Sequence, residues 1–448
     1  MVDQPTLLPL PEPTKPAAVP ATRPREARVV RPVRNQIEWA PRELDAVLPP
    51  DHPARAIWAV LEQVDLSAFY AGIKAVADRP GRPASDPKVL LALWLFATKE
   101  GVGSARQLAR LCEKHDSYRW IRGGVPVDYH LLAEFRVVHE RELDELLTTI
   151  LAVLIQEGLV TLDRVAQDGM RVRASAGAAS FRGAGRLAQC LAQAQEQVDR
   201  LKAEREHPAP GGSARARAAR ERAAHQRLER VERALAQLPA AKAAKQRQER
   251  TLAKPRREKV REPRGSTTDP DARVMHMPDG GFRPALNVEL ATDTQSQVIV
   301  GVAISNRGTD QGEALPMEAQ VHRRTDQHPR DYLIDGGFVK RDDITTLEQR
   351  QVTVYAPLRP PRTTTSGRTA TDPRPDDSPQ VLAWRARMGT EEAKTIYKQR
   401  GATAECVNAL CRLRGVQQFR VRGLGKALSC MLLVAITHNL LRWISFTV

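Results

Sequence analysis

The chain of 448 residues is 42% hydrophobic and 27% charged. That suffices to bury one large core or two modest ones and excludes a small disulfide-stapled domain or a wholly disordered chain. Its 69 lysines and arginines outnumber its 53 aspartates and glutamates, leaving a net charge of +16, so a polyanion, most commonly nucleic acid, is the leading partner. The five cysteines (Cys112, Cys190, Cys406, Cys411 and Cys430) contain no Cys-x-x-Cys pair, which argues against a disulfide framework and a zinc ribbon and fits a reducing cytoplasm.

Residues 1–40 are rich in proline and arginine and read as a disordered basic arm without a secretory leader. Residues 41–155 carry apolar side chains at helical spacing, such as Ile57, Val60, Leu61 and Val64, and form a helical domain. One helix opens at Ser85-Asp86-Pro87 and ends near Gly101. Two short basic helices, Ser104 to Cys112 and Val127 to Arg136, have the pattern of a helix-turn-helix or of an ordinary small bundle. A strand from Leu159 ends at Asp168, followed by Gly169 and the alternating Met170 to Arg173.

Residues 182–262 change character. Leu187, Leu191, Ala194, Val198 and Leu201, then Leu228, Val231, Leu235 and Leu238, step by threes and fours around a Pro208–Gly212 breaker, the pattern of an antiparallel coiled-coil hairpin. This insertion holds 21 Lys and Arg against 10 Asp and Glu, or +11 of the chain's +16. It is either an arm for DNA or a second protomer, or a solvated coiled coil. Residues 156–181 and 263–448 alternate strand and helix. The strands are Asn287–Ala291, Gln297–Ile304, a short one from Asp331 with Asp335 at its end, and Val352–Ala356; the helices include Leu315–His322, Ile344–Gln351, Ala404–Arg414 and Ala427–Ile444. Residues 358–380 read as a loop. The apolar stretch Leu428 to Leu441 is short for a bilayer and reads as a buried helix.

Three carboxylates, Asp168 and Asp335 after strands and Glu405 in a later helix, could converge at one edge of a mixed sheet. Oxygen-only ligation of this kind selects Mg²⁺ or Mn²⁺, and two such ions suit phosphodiester cleavage. Asp293 and Asp310 are second-rank candidates, an acid in a hairpin turn and one before a helix, where capping is the simpler role, and His438 and Asn439 read as side chains that satisfy each other or the backbone.

The order of these segments resembles the bacterial insertion-sequence transposases of the DDE type. Gly81 to Lys88, Glu100 to Arg106 and Val127 to Arg136 look like that family's N-terminal domain. Asp168 to Ala174 resembles its first catalytic aspartate and Leu333 to Phe338 its second; Tyr397, Arg400, Glu405 and Arg412 resemble the Tyr/Arg/Glu/Lys signature around the third acid. The resemblance implies an all-helical N-terminal domain followed by a ribonuclease H-like α/β core. Asp168, Asp335 and Glu405 would hold two Mg²⁺ or Mn²⁺ ions. Tyr397, Arg400, Arg412, Arg106 and Arg136 would touch double-stranded DNA at terminal inverted repeats and target, within a homodimer or larger assembly on the nucleoid in the cytoplasm, with no membrane. The alternatives are a non-catalytic DNA-binding or assembly protein and a ribonuclease H-like nuclease. The signature departs in two respects: four residues, not three, separate Arg400 from Glu405, and Arg412 replaces lysine. On a continuous α-helix that spacing would turn Arg400 about 140° from Glu405, so a helix starting near Thr403 is expected, with Tyr397 and Arg400 on its approach segment. Glu391 and Glu392 compete for the third-acid role.

Overall fold

A computed structural model describes residues 43–75, 83–206, 213–251, 262–359 and 369–447. The basic arm, the Pro208–Gly212 breaker and part of the 358–380 loop lie outside them. Among the described residues seven α-helices come first: α1 (Pro53–Gln63), α2 (Ser67–Tyr70), α3 (Pro87–Lys99), α4 (Ala105–Lys114), α5 (Asp116–Arg122), α6 (Tyr129–Val138) and α7 (Glu140–Gln156). The Asp86 carboxylate caps α3 by accepting from the Lys88 N–H, with Pro87 in the first turn. Every residue of α3 from Val89 to Thr98 is buried, so this helix is the axis around which the others pack. The expected pair of basic helices is α4 and α6, but α5 stands between them in sequence; the two are not one uninterrupted helix-turn-helix.

Arg136 corrects the expectation of a DNA contact. Its side chain is 7% exposed, lies 4.5 Å over the Trp94 ring and donates from Nη1 to the Gly103 carbonyl at 2.7 Å. A buried cation held by an indole face and a carbonyl is structural. Arg136→Ala should lower stability by about 2 kcal/mol, because the Gly103 oxygen loses its donor. Thermal melting checks this, and the salt dependence of DNA binding should be unchanged.

The sheet begins with β1 (Arg164–Arg173). A two-stranded ribbon, β2 (Phe181–Arg182) and β3 (Gly265–Ser266), closes the root of the insertion. Between them run α8 (Ala184–Glu206) and α9 (Ala214–Thr251). These are antiparallel: Arg227 bonds Gln197, Arg220 faces Glu204, and Leu187 packs with Val231, Ala234 and Leu238. The main sheet is completed by β4 (Arg273–His276), β5 (Phe282–Asp293), β6 (Ile299–Ser305), β7 (Asp331–Ile334) and β8 (Thr353–Tyr355). β5 runs antiparallel to β1 on one side and to β6 and β4 on the other, whereas β7 and then β8 extend the sheet in parallel from β1. The parallel strands are joined through helices, as such crossovers require: α10 (Ala314–Thr325) precedes β7 and α11 (Arg341–Gln349) precedes β8.

The chain ends with α12 (Pro379–Met388), α13 (Glu391–Arg400), a π turn at Gly401–Glu405, α14 (Cys406–Leu413) and α15 (Leu424–Thr447). α15 is longer than its apolar stretch suggests. Its Leu424–Phe446 segment is long and apolar enough to cross a membrane, but 67% of its most apolar window is buried inside the protein. It packs against α3, α7 and β6, so it joins the helical half to the sheet. Gly101 and Gly415 make a second junction. Both have positive φ, 71° and 85°, and a Cβ on Gly415 would lie 2.8 Å from the Gly101 carbonyl oxygen, so only glycine fits.

Within α15, Asn439 satisfies both backbone groups of Ile299. The His438 Nε2 donates to the Gln297 carbonyl at 2.7 Å while Nδ1 accepts from Arg414 Nη1 at 2.7 Å. Arginine has only donors, so this imidazole is neutral. Burial is the main reason its pKa falls to about 4. The unfolded chain therefore takes up a proton between pH 6.5 and 4 that the native chain refuses, so stability falls with pH across that window. His438→Gln should flatten that part of a stability-versus-pH curve, a slope worth about 3 kcal/mol in the native chain.

Candidate functional site

β1 and β7 pair in parallel from Arg164 opposite Asp331 to Gln167 opposite Ile334. One step further along each strand come Asp168 and Asp335. Adjacent strands lie about 4.8 Å apart and paired residues of parallel strands face the same way, so the two carboxylates share one face, level with each other. β1 does not end at Asp168, as the sequence suggests; it continues to Arg173 along β5. The parallel pairing to β7 is what stops there, which opens the sheet beside the two acids. The Gly336 N–H donates to Asp335 Oδ1 at 2.6 Å and fixes that carboxylate.

The face carrying these acids is covered by α13, the π turn and α14. The expected break near Thr403 does not occur. The chain stays helical from Glu391 to Leu413, and the extra residue is absorbed by the π turn at Gly401–Glu405. Bonds of the i→i+5 type widen that turn, so a step of five residues comes nearly full circle. Arg400 and Glu405 therefore return to the same side. Arg400 Nη1 lies 3.5 Å from Asp168 Oδ1 and Nη2 lies 3.8 Å from Glu405 Oε1, while its guanidinium stacks 5.8 Å over the Tyr397 ring. Asn408, one turn beyond Glu405, donates to Asp168 Oδ2 at 2.9 Å.

Burial pushes the Asp168 carboxyl up from its ordinary pKa, against the pull of Arg400. Burial also opposes the charge on Arg400, yet Tyr397, Asp168 and Asp335 together hold its pKa above the usual value. The Glu405 side chain is 70% exposed, so it faces solvent across the guanidinium from Asp168. Among the described residues no three His, Cys, Asp or Glu side chains are gathered closely enough to hold a metal ion. Arg400 stands between Asp168 and Glu405.

Arg412 is exposed and lines a cleft of about 170 Å³ with Gly169, Asn287 and Asp310. Arg106 is exposed on α4, 5.1 Å from the Tyr129 ring, outside this cluster of contacts. Glu391 is exposed and paired with Lys394, and Glu392 is exposed at the start of α13. Asp293 behaves as a turn residue, accepting from Ser296 N and Oγ.

Asp310 departs from its expected capping role. On the reverse side of β1 from Asp168, Gly169 leaves room for a buried network. The Tyr332 hydroxyl donates to Gln167, Gln167 Nε2 donates to Glu289, and Asn287 Nδ2 donates at 2.7 Å to both Glu289 Oε1 and Asp310 Oδ1. Burial, reinforced by Asp310, raises the Glu289 pKa well above the ordinary range. Asp310 Oδ2 would lie 3.3 Å from a Cβ on Gly337, which in turn would be 3.8 Å from Asp335 Oδ2. Asn287, Glu289 and Asn408 were not legible as site residues, and Asp310 only as a second-rank one, because each is brought in by strand register or helix packing. A Cβ on Gly169 would come 2.9 Å from Glu289 Oε1 and 3.1 Å from Asp310 Oδ1. Gly169→Ala should therefore cost about 1–3 kcal/mol of stability in thermal melting and displace Asp310.

Two family models match the chain: a transposase domain (DUF772) over residues 42–137 and a transposase DDE domain over residues 362–444. Both matched models are transposase domains, the second of the DDE type, and together they support a DDE transposase. The first match covers the α1–α6 region, and the second covers α12 to α15 with Arg400, Glu405 and Arg412. Asp168 and Asp335 lie outside both. No curated protein and no solved structure matches the chain.

Proposed function

We propose that this transposase cuts double-stranded DNA at the terminal repeats of an insertion sequence and joins it to a target, using divalent cations held at Asp168, Asp335 and Glu405. The observation that carries the reading is the register of β1 on β7, which sets Asp168 beside Asp335 beneath the helix that bears Arg400 and Glu405. The mixed sheet, with antiparallel β1, β5 and β6, parallel β7 and β8 and helical crossovers, supports the ribonuclease H-like core that the resemblance implies.

The donor set is all carboxylate oxygen, which suits a hard cation such as Mg²⁺ or Mn²⁺. When bound, two such ions supply an activated water or hydroxyl and stabilise the leaving oxygen at a scissile phosphate. The chain's own groups do the rest. Asn408 orients the Asp168 carboxylate. Arg400, backed by Tyr397, neutralises Asp168 and Glu405 and would offer its guanidinium to a DNA phosphate. Arg412 at the cleft and Arg106 on α4 are phosphate contacts, and two DNA ends require two active sites, hence at least a dimer, on the nucleoid in the cytoplasm.

The test is joining: with Mg²⁺, a labelled fragment bearing the element's end should become covalently linked to a supercoiled target plasmid. Free cut ends without joined product would favour a plain nuclease. A protein that binds DNA without cutting is the second reading, favoured by the position of Arg400 between Asp168 and Glu405; it requires that native chain and Mg²⁺ yield neither product.

A further inference from the structure

The insertion's excess charge is carried by one helix. α8 is balanced, with four basic and four acidic residues, whereas α9 has eleven basic and four acidic. Arg215 and Arg222 stand nine residues before the buried seam residues Ala224 and Val231, which places both on the face turned away from α8. Neither has an ion pair among the described residues, in contrast to Arg200 of α8, which is bridged to Glu196.

The foot of α9 is locked to the body through one buried carboxylate. Asp271, 4% exposed, accepts from Arg233 at 2.9 Å, from Gln237 at 2.9 Å and from the Leu424 N–H at the start of α15 at 3.2 Å. Arg230 precedes Arg233 by one helical turn, and Arg422 precedes Leu424 by two residues. The joint therefore brings the two arginines from distant parts of the chain near enough for Arg422 to disfavour the charge on Arg230, with the buried Asp269 carboxylate also near Arg422. Arg422 is held by Nε donating to the Ser175 carbonyl at 3.3 Å. Arg230 Nε is buried with no hydrogen-bond partner. Among the described residues neither arginine has a carboxylate at ion-pair distance. Bringing like charges together and burying a donor unsatisfied both cost free energy that a bound anion would offset.

We propose that Arg230 and Arg422 form a phosphate clamp at the foot of the insertion, and that the outer face of α9 through Arg222 and Arg215 continues it as a track for the backbone of duplex DNA. Steps of seven and eight residues space these arginines about 10–12 Å along the helix. Duplex DNA fits this face better than a second copy, because the chain carries +16 and a copy would bring like charge to like. The contact reads no sequence and acts by counterion release. It rests on the transposase reading only for the identity of the polyanion.

The test is the affinity of the full chain for a fluorescent random-sequence duplex across a salt series. Arg230→Ala/Arg422→Ala should weaken binding about tenfold near 0.15 M salt and lower the log–log salt slope by about 2, one contact for each arginine. Arg230→Lys/Arg422→Lys should keep most of the slope. Arg141→Ala/Arg200→Ala removes equal charge from two surface pairs and should change it less than half as much. Thermal melting shows that each variant is folded. An unchanged slope in the Arg230/Arg422 double variant, equal losses in the two alanine variants, or a changed oligomer mass with an unchanged slope would overturn the clamp. Native cutting with an unchanged variant slope rejects the clamp and leaves the catalytic reading standing; a lost slope without native cutting does the reverse.

Discussion

Changing Asp168 or Asp335 to asparagine is expected to slow cleavage of an element-end duplex by on the order of 10³-fold while duplex affinity stays within a few-fold of native. Each carboxylate is one of two level acids beside the end of the β1–β7 pairing, and on the proposed function a cation held there would contribute several kcal/mol to the transition state, so losing about 4 kcal/mol corresponds to that factor. Asparagine keeps the shape and removes the charge. The fold should tolerate it, because Asn408 can still bond the remaining carbonyl oxygen at position 168. Equal loss of binding and cutting would mean that the acids serve the fold or the DNA contact. The double change should cost little more than either single one, since groups that act as one unit are not additive.

The second large effect separates two candidates for the remaining acid. Glu405→Gln is expected to reduce cutting by on the order of 10²–10³-fold, because the π turn returns Glu405 to the side of Arg400 and Asp168. Asp310→Asn should cost about tenfold, as a positioning change transmitted through Asn287 and the Gly337 turn. The reverse order of losses would assign Asp310, and not Glu405, to the cation. Glu391 is exposed and paired with Lys394, and a cutting rate that survives Glu405→Gln would move the third acid to Glu391 or Glu392. Cleavage rates of the two variants at saturating DNA decide between these assignments.

Much of the fold was legible because local patterns agreed with the global one. The Asp86-Pro87 start of α3, the heptad seam of α8 and α9, and the strand at Asp331–Ile334 with Asp335 just beyond it all follow from capping, periodicity and strand composition. Three features were not. The continuity of α13 into α14 is hidden in the sequence because Gly401 and Thr403 mark a helix boundary in isolation, and a π turn has no composition of its own. Asp168 looked like a strand end because the acid and glycine signal a turn, whereas pairing to β5 carries the strand on to Arg173. Arg136 looked like a surface cation because burial over Trp94 is set by tertiary packing. Asp310 illustrates the same limit, since its neighbours Gly169, Asn287 and Gly337 come from three separate strands and turns.

The most direct measurement is Mn²⁺ binding to the DNA-free chain, read by electron paramagnetic resonance of the free ion. The native protein should bind Mn²⁺ competitively with Mg²⁺, and Asp168→Asn and Asp335→Asn should each abolish the tightest site while melting stays near native. Tight binding retained undiminished in both folded variants would contradict the assignment of the cation to this pair of acids.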